Sequence, residues 1–131
     1  MDEIGYNDLM EVFKGELTTF YLLIIAHFLT DFILQGSLAV KKKGFNKYML
    51  LHAGMMGLAF FLPLVNYPAG KTVLAAGILV ILHATLDAVR VEIGRALKLL
   101  PGTWGGSISL GIDQILHITI IYLLFRFIVL S

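Results

Sequence analysis

Residues 17–40 read LTTFYLLIIAHFLTDFILQGSLAV, and Asp31 is the only formally charged residue in this stretch. A helix needs about 20 predominantly apolar residues to cross the hydrocarbon core of a bilayer, so this stretch is long enough to span a membrane. Three further apolar segments follow it, at residues 48–65, 72–89 and 107–130. The sequence therefore predicts an all-α, polytopic membrane protein in which residues 1–131 form one domain with four transmembrane helices.

The composition of the whole chain agrees with this prediction. Hydrophobic residues make up 58% of the 131 residues, and the mean hydropathy is +0.86. Charged residues make up 15%, compared with about 25% in ordinary soluble domains. A net charge of +1 provides no basic surface for nucleic acid, and the absence of cysteine excludes disulfides and thiolate-ligated metal sites. We expect the lipid bilayer as a partner and no nucleic acid.

The distribution of lysine and arginine predicts the orientation of the helices. Four lysines lie between residues 41 and 47 and three basic residues lie between residues 90 and 98, whereas the second loop contains only Lys71. Cytoplasmic loops are enriched in lysine and arginine, so we predict that the first and third loops face the cytoplasm and that both termini lie outside. The lysines of the first loop are also suited to bind anionic lipid headgroups. The acidic segment before Leu17 is expected to form a short interfacial helix rather than a signal peptide.

All four histidines lie inside the predicted spans, and three of them have an aspartate four residues away. The pairs are His27 with Asp31, His83 with Asp87, and Asp113 with His117, and the fourth histidine is His52. This spacing places both members of a pair on one face of a helix. The last pair has the reverse order, and its helix is predicted to run in the opposite direction. All three pairs are therefore predicted to converge at one depth in the cytoplasmic half of the membrane, with His52 at the rim or as an additional ligand.

The converging aspartates predict a divalent metal site. An ionised aspartate near the centre of a bilayer costs about 2.5–3.5 kcal/mol, and three of them would repel one another unless they were protonated or neutralised. Imidazole and carboxylate are suitable ligands for zinc, manganese, iron or nickel. We predict one or two divalent ions, zinc above all, with these ligands: His27, Asp31, His52, His83, Asp87, Asp113 and His117. A proton or ion relay and simple interhelical hydrogen bonding are the two interpretations that the sequence leaves open.

Four motifs in this order carry a resemblance to a known family: HFLTDFILQ at residues 27–35, LHA at 51–53, HATLD at 83–87 and DQILH at 113–117. Together they resemble a family of small prokaryotic membrane proteins, the domain of unknown function 3307. The resemblance implies a four-helix, multi-pass protein of the cell (inner) membrane of a bacterium or archaeon, and it implies no established activity. The histidine and aspartate pattern is also similar to that of small proteins labelled membrane-bound metal-dependent hydrolases.

The leading functional hypothesis is a metal-dependent hydrolase within the membrane. A divalent cation lowers the pKa of bound water toward neutrality, and Asp31 or Asp113, if it is not a ligand, would act as the general base. The predicted depth of the site indicates a lipid-like substrate, for which the candidate binding residues are Gln35, Arg90 and Gln114. The alternatives are a proton- or metal-ion transporter or channel subunit, which would form a homo-oligomer to enclose a pore, and the membrane module of a larger complex.

Overall fold

A computed structural model of the chain describes residues 5–34 and 46–131. Within these ranges the regular structure is entirely helical, which confirms the predicted all-α class. The four long helices are α1 (Tyr6–Phe28), α2 (Lys47–Phe61), α3 (Ala69–Ala96) and α4 (Trp104–Leu124). Short segments continue three of them: a π-helix at Leu29–Leu34 after α1, a 3-10 helix at Leu62–Leu64 after α2, and a π-helix at Phe125–Val129 after α4. Each of the four resulting units is long and apolar enough to cross a membrane.

The helices extend beyond the predicted spans at two places. Helix α1 already begins at Tyr6, so the segment before Leu17 continues into the first span instead of forming a separate interfacial helix. No proline interrupts it, and an ion pair of 3.0 Å between Lys14 Nζ and Glu11 Oε1 supports its exposed first turns. Helix α3 continues past residue 89 to Ala96, where the Arg95 side chain bonds to Glu92 at 2.9 Å.

Local side-chain bonds explain where α2 and α4 begin. The Asn46 side chain accepts hydrogen bonds from the backbone N–H groups of Tyr48 and Met49 at 3.0 Å each, so it caps α2. The Thr103 hydroxyl accepts a hydrogen bond from the backbone N–H of Gly106 at 3.1 Å and caps α4. These caps determine where the two helices that carry His52 and His117 begin.

The two ends of the bundle differ in character. At one end, which we call the Tyr67 end, the Tyr67 hydroxyl donates to Thr19 Oγ1 at 3.1 Å and its ring packs edge-on against Phe125. This end is filled by an apolar core: Leu23, Met56, Phe60, Leu64, Ala75, Leu79, Ile121, Leu124, Phe125 and Val129. The opposite end, which we call the Arg90 end, holds the loop between α3 and α4 and a smaller apolar cluster of Met49, Ala53, Ala84 and Ala88. The buried histidines and aspartates lie at the level of this smaller cluster, since His52 adjoins Ala53 on α2 and His83 and Asp87 adjoin Ala84 and Ala88 on α3.

Gly57 is a point of close approach between α2 and α3. A Cβ atom added at Gly57 would lie 2.5 Å from Cγ2 of Val80, whereas a Cβ atom added at Gly54 would meet no atom within 4 Å. The β-branched side chain of Val80 has few rotamers into which it can move. We therefore expect the free energy of unfolding of Gly57→Ala to be lower than that of Gly54→Ala by about 1–3 kcal/mol, the usual cost of overpacking.

Thermal unfolding of both variants in the same detergent measures this difference. Gly54→Ala is the matched control because it adds the same methyl group to the same helix and gains the same helix propensity, about 1 kcal/mol. Equal melting temperatures for the two variants would contradict a tight contact between α2 and α3 at Gly57.

Candidate metal centre

The histidines and aspartates of the predicted site lie on the helix faces that form the core. Buried residues of α3 follow one stripe, Thr72, Ala75, Leu79, His83 and Asp87, and those of α4 follow another, Asp113, His117, Ile121 and Leu124. The spacing of three or four residues keeps each polar side chain in line with apolar residues that must be buried. Because the apolar residues of each stripe pack in the core, the His/Asp pair in the same stripe also faces the interior of the bundle. All seven residues are buried, and none is more than 5% exposed.

Six of the seven residues form three overlapping groups whose potential ligand atoms lie within 4.8 Å of one another. The groups are His27, Asp31 and His117; Asp31, His52 and His83; and His83, Asp87 and His117. Any two groups share one residue, so the three groups form a closed cycle of six side chains, which we call the ring. Each of the three groups could hold a metal ion.

The tightest part of the ring is a triangle of three atoms from three helical units. Nε2 of His52 lies 2.9 Å from Nε2 of His83 and 3.0 Å from Oδ1 of Asp31, and His83 Nε2 lies 3.5 Å from the same oxygen. Ligands bound about 2.0–2.2 Å from one zinc ion are about 3.0–3.5 Å apart at angles between 90° and tetrahedral. The triangle therefore already has nearly the dimensions of one face of a metal coordination sphere.

His117 extends the ring beyond this triangle. Its Nε2 atom lies 3.8 Å from Oδ1 of Asp87, and its ring centroid lies 4.2 Å from that of His83. This Nε2 atom is buried and has no hydrogen-bond partner among the described residues. Because an unpaired buried polar atom is costly, its position at the ring is readily explained by a cation between His83, Asp87 and His117.

Asp113 lies behind His117 and belongs to none of the three groups found among the described residues. Its Oδ2 atom is 3.5 Å from Nδ1 of His117 and 3.4 Å from Nε of Arg90. A carboxylate next to the second ring nitrogen of a histidine orients the ring and supports its binding to a metal. The geometry thus suits Asp113 better to orienting His117 than to binding an ion directly.

Gln114 connects α4 to the pair on α1. Its Nε2 donates to Oδ2 of Asp31 at 3.0 Å and to Oδ2 of Asp113 at 3.2 Å, while its Oε1 lies 3.0 Å from Nε2 of His27. Since Oε1 can only accept, His27 donates its Nε2 proton to Gln114. Gln114, predicted as a substrate-binding residue, is therefore placed among the site side chains, and Nε2 of His27 is engaged. The other predicted substrate residue on α1, Gln35, lies outside the described residues.

Arg90 lies between the buried ring and two cavities at the Arg90 end. Its side chain is 33% exposed, and among the described residues its guanidinium contacts no acceptor other than Asp113. One cavity, of about 460 Å³, is lined by charged, polar, glycine and apolar residues of α3, α4 and the loop between them, and the other, of about 420 Å³, is lined mainly by apolar residues of α3 and α4. Arg90 lines both, and Asp113 lines the apolar one. The ring is thus connected to these cavities through the Arg90–Asp113 pair.

A family model described as "Protein of unknown function (DUF3307)" matches residues 19–131, a range that includes every site residue. The chain belongs to this family. Membership in the DUF3307 family confirms the resemblance seen in the four motifs and assigns no activity. No curated protein and no solved structure matches the chain.

For two residues of this DUF3307 protein, His52 and Gln114, the structure shows a more central position in the site than the sequence predicts. The sequence predicts His52 at the rim or as an additional ligand, and the structure places its Nε2 atom at one corner of the triangle, with the residue 0% exposed. The sequence feature that indicates this position is the helical spacing of His52 from two apolar residues, since Met49 lies three residues before it and Met56 four residues after it, and both are buried. Gln114 was noted for its place next to Asp113, but its bonds to α1 depend on how α1 and α4 pack, which no local pattern indicates.

Proposed function

We propose that this protein is a metal-dependent hydrolase of a bacterial or archaeal cell membrane that acts on a lipid-like substrate. The observation that carries the proposal is the buried ring of ligand groups, which reaches two cavities only a few ångströms away through Asp113 and Arg90. Cavities next to titratable groups are the usual place for a substrate. In this proposal both termini lie outside and the Arg90 end faces the cytoplasm, which the basic residues of that end support.

The residues of the chain have distinct roles in this proposal. His52, His83 and Asp31 would hold one cation. His117, Asp87 and His83 form an alternative position, because the single lone pair of His83 Nε2 binds one ion at a time. The bound ion would activate water and polarise a carbonyl or phosphoryl oxygen. Asp113 borders the apolar cavity, so it is the better placed of the two candidate bases to accept the proton of the attacking water. Water adds to the carbonyl or phosphoryl centre, the ester bond breaks, and Asp113 returns the proton to the leaving alkoxide, which departs as the alcohol.

The packing of the described residues favours this proposal over a transporter or channel. A conducting path would have to continue from the ring to the Tyr67 end, where Leu23, Leu79 and Ile121 are each 1% exposed. Such a closed apolar layer is a barrier to ions in a single copy of the chain. A pore would then require a homo-oligomer with a path between subunits.

Turnover of lipids by the purified protein tests the proposal. We expect the metal-loaded protein to hydrolyse an ester bond of a lipid in detergent, and we expect a chelator or Asp87→Ala to reduce the rate by a factor of about 100 or more, because both remove the stabilisation that a bound cation provides. Arg126→Gln, at the far end of α4, is the control and is expected to keep the wild-type rate. Metal-loaded protein without turnover of any lipid in a panel of phospholipids and acylglycerols would contradict the proposal.

A further inference from the structure

The two cavities at the Arg90 end lie side by side between α3 and α4, and we call them together the crevice. They share Arg90, Leu99 and Ser109 in their walls. The larger cavity adds Arg95, Ser107 and three glycines, together with the apolar Val91, Pro101 and Leu110. The smaller one adds mainly aliphatic side chains, among them Leu86, Val89, Ile108, Ile112 and Leu116. The larger cavity is therefore the more polar half of the crevice and contains two arginines, and the smaller cavity is the apolar half.

The two halves extend to different depths along α4, to Leu110 in the polar half and to Leu116 in the apolar half. The polar half includes Pro101 and Gly102 of the α3–α4 loop, shortly before Trp104, which is 83% exposed and of a type enriched at membrane interfaces. The apolar half follows α4 from Ile108 to Leu116, a length of about 12 Å at the helical rise per residue, and reaches the depth of Asp113. A lipid in the adjacent leaflet has the same order, with its head at the interface and its chains deeper.

The polar half also has the charge that an anionic head requires. Arg95 is bound to Glu92 through two contacts of 2.9 Å, so its charge is largely matched. Arg90 contacts Asp113 through Nε at 3.4 Å, and its two terminal amino groups form no hydrogen bond with the described residues. A guanidinium with free terminal N–H groups binds phosphate oxygens in a bidentate manner. The first turn of α4, at Gly106 and Ser107, adds the positive end of a helix dipole to the same cavity.

We propose that this crevice binds a phosphate-bearing lipid, with the phosphate at Arg90 and an acyl chain in the apolar half along α4. This inference rests on the proposed function and names its substrate class. It also places the linkage between head and chain beside Asp113, whose Oδ2 lies 3.5 Å from Nδ1 of His117. The ester bonds nearest to the phosphate are then the bonds that the site can reach.

Lipid binding by the full chain, measured by native mass spectrometry in the presence of a chelator, tests the inference without any turnover. The probes are dioleoyl phosphatidic acid and dioleoyl phosphatidylcholine, which have the same chains, and inorganic phosphate. We expect phosphatidic acid to be retained more strongly than phosphatidylcholine. We expect Arg90→Gln to weaken its binding by about tenfold or more, as is usual for a lost charged hydrogen bond, and Ile112→Trp to weaken it by filling the apolar half.

Two variants serve as matched controls. Arg126→Gln removes an arginine at the Tyr67 end, and Ile115→Trp adds the same bulk at a residue of α4 that is 66% exposed and does not line the crevice. Both are expected to bind phosphatidic acid like the wild type. Equal effects of Ile112→Trp and Ile115→Trp, or of Arg90→Gln and Arg126→Gln, would overturn the inference. Inorganic phosphate that displaced bound phosphatidic acid as effectively as free phosphatidic acid does would also overturn it.

The inference and the proposed function fail in different ways. Phosphatidic acid binding that depends on Arg90 and Ile112, without hydrolysis of any lipid after metal loading, would support the crevice and contradict the hydrolase. Hydrolysis that is unchanged in Arg90→Gln and Ile112→Trp would support the hydrolase and overturn the crevice as its substrate site.

Discussion

Replacing His83 with alanine is expected to remove most of the divalent metal that the wild-type protein binds. His83 belongs to two of the three ligand groups, and its Nε2 atom lies 2.9 Å from Nε2 of His52. The substitution therefore opens the triangle and also takes a ligand from the group that contains Asp87 and His117. Loss of a residue that merely supports a ligand costs about 10–100-fold in metal affinity, so we expect the loss of His83 to cost more than about 100-fold. Elemental analysis after dialysis against zinc at a fixed concentration measures the metal content.

His27→Ala is the matched control for this experiment. His27 is an equally buried histidine, but it belongs to one group and its Nε2 is engaged by Gln114 at 3.0 Å. The variant is expected to retain the ion held by Asp31, His52 and His83. Wild-type metal content in a helical, monodisperse His83→Ala protein would contradict the metal centre. Should that variant fail to fold, His83→Asn keeps a polar side chain at the position and tests the same ligand.

Adding zinc to the metal-free protein is expected to raise its melting temperature by on the order of 10 °C. Asp31 and Asp87 are 5% and 2% exposed, and a bound cation adds an opposite charge beside these buried carboxylates, which stabilises the folded state. A ligand that binds only the folded state stabilises it by about 2.7 kcal/mol at 100 times its dissociation constant. One kcal/mol corresponds to about 2–8 °C in domains of up to about 250 residues. Thermal unfolding in detergent, first with a chelator and then with excess zinc, gives the shift.

Two comparisons make this result specific to the ring. Magnesium prefers oxygen ligands and keeps several of its waters, so it is expected to shift the melting temperature much less than zinc. His83→Ala is expected to show little response to zinc. A rise of wild-type size in His83→Ala would mean that zinc acts at exposed carboxylates such as Glu11 and Glu92, and the ring would then not be its binding site.

Much of the architecture could be predicted from local patterns. Apolar length alone indicated four membrane-length helices, because a helix that satisfies its own backbone hydrogen bonds is the simplest structure for a long apolar segment. The i,i+4 spacing of the His/Asp pairs indicated that both members of each pair share a face. The position of His83 and Asp87 in the same stripe as Ala75 and Leu79 then indicated that this face is buried.

Helix ends were harder to predict than helices. The polar residues before Leu17 and after residue 89 obey the same helical geometry as the apolar spans, and nothing in their sequence stops the helix. Hydropathy marks the part of a helix that fits into the bilayer core, whereas backbone hydrogen bonds continue until a cap or a turn ends them. In α3 that turn comes at Lys98, which has a positive φ of 54°.

The sequence by itself determined which residues are polar within apolar helices and which of them share a helix face. The tertiary structure decided the partners of each: His52 meets Asp31 and His83, Asp113 pairs with Arg90, and Gln114 joins His27 to Asp31. It also decided that the turn with Asp31 is π-helical, a local change of register that is frequent at functional sites. The physical reason is that i,i+4 spacing fixes neighbours along one helix, whereas contacts between helices depend on the rotation and depth at which their side chains pack together.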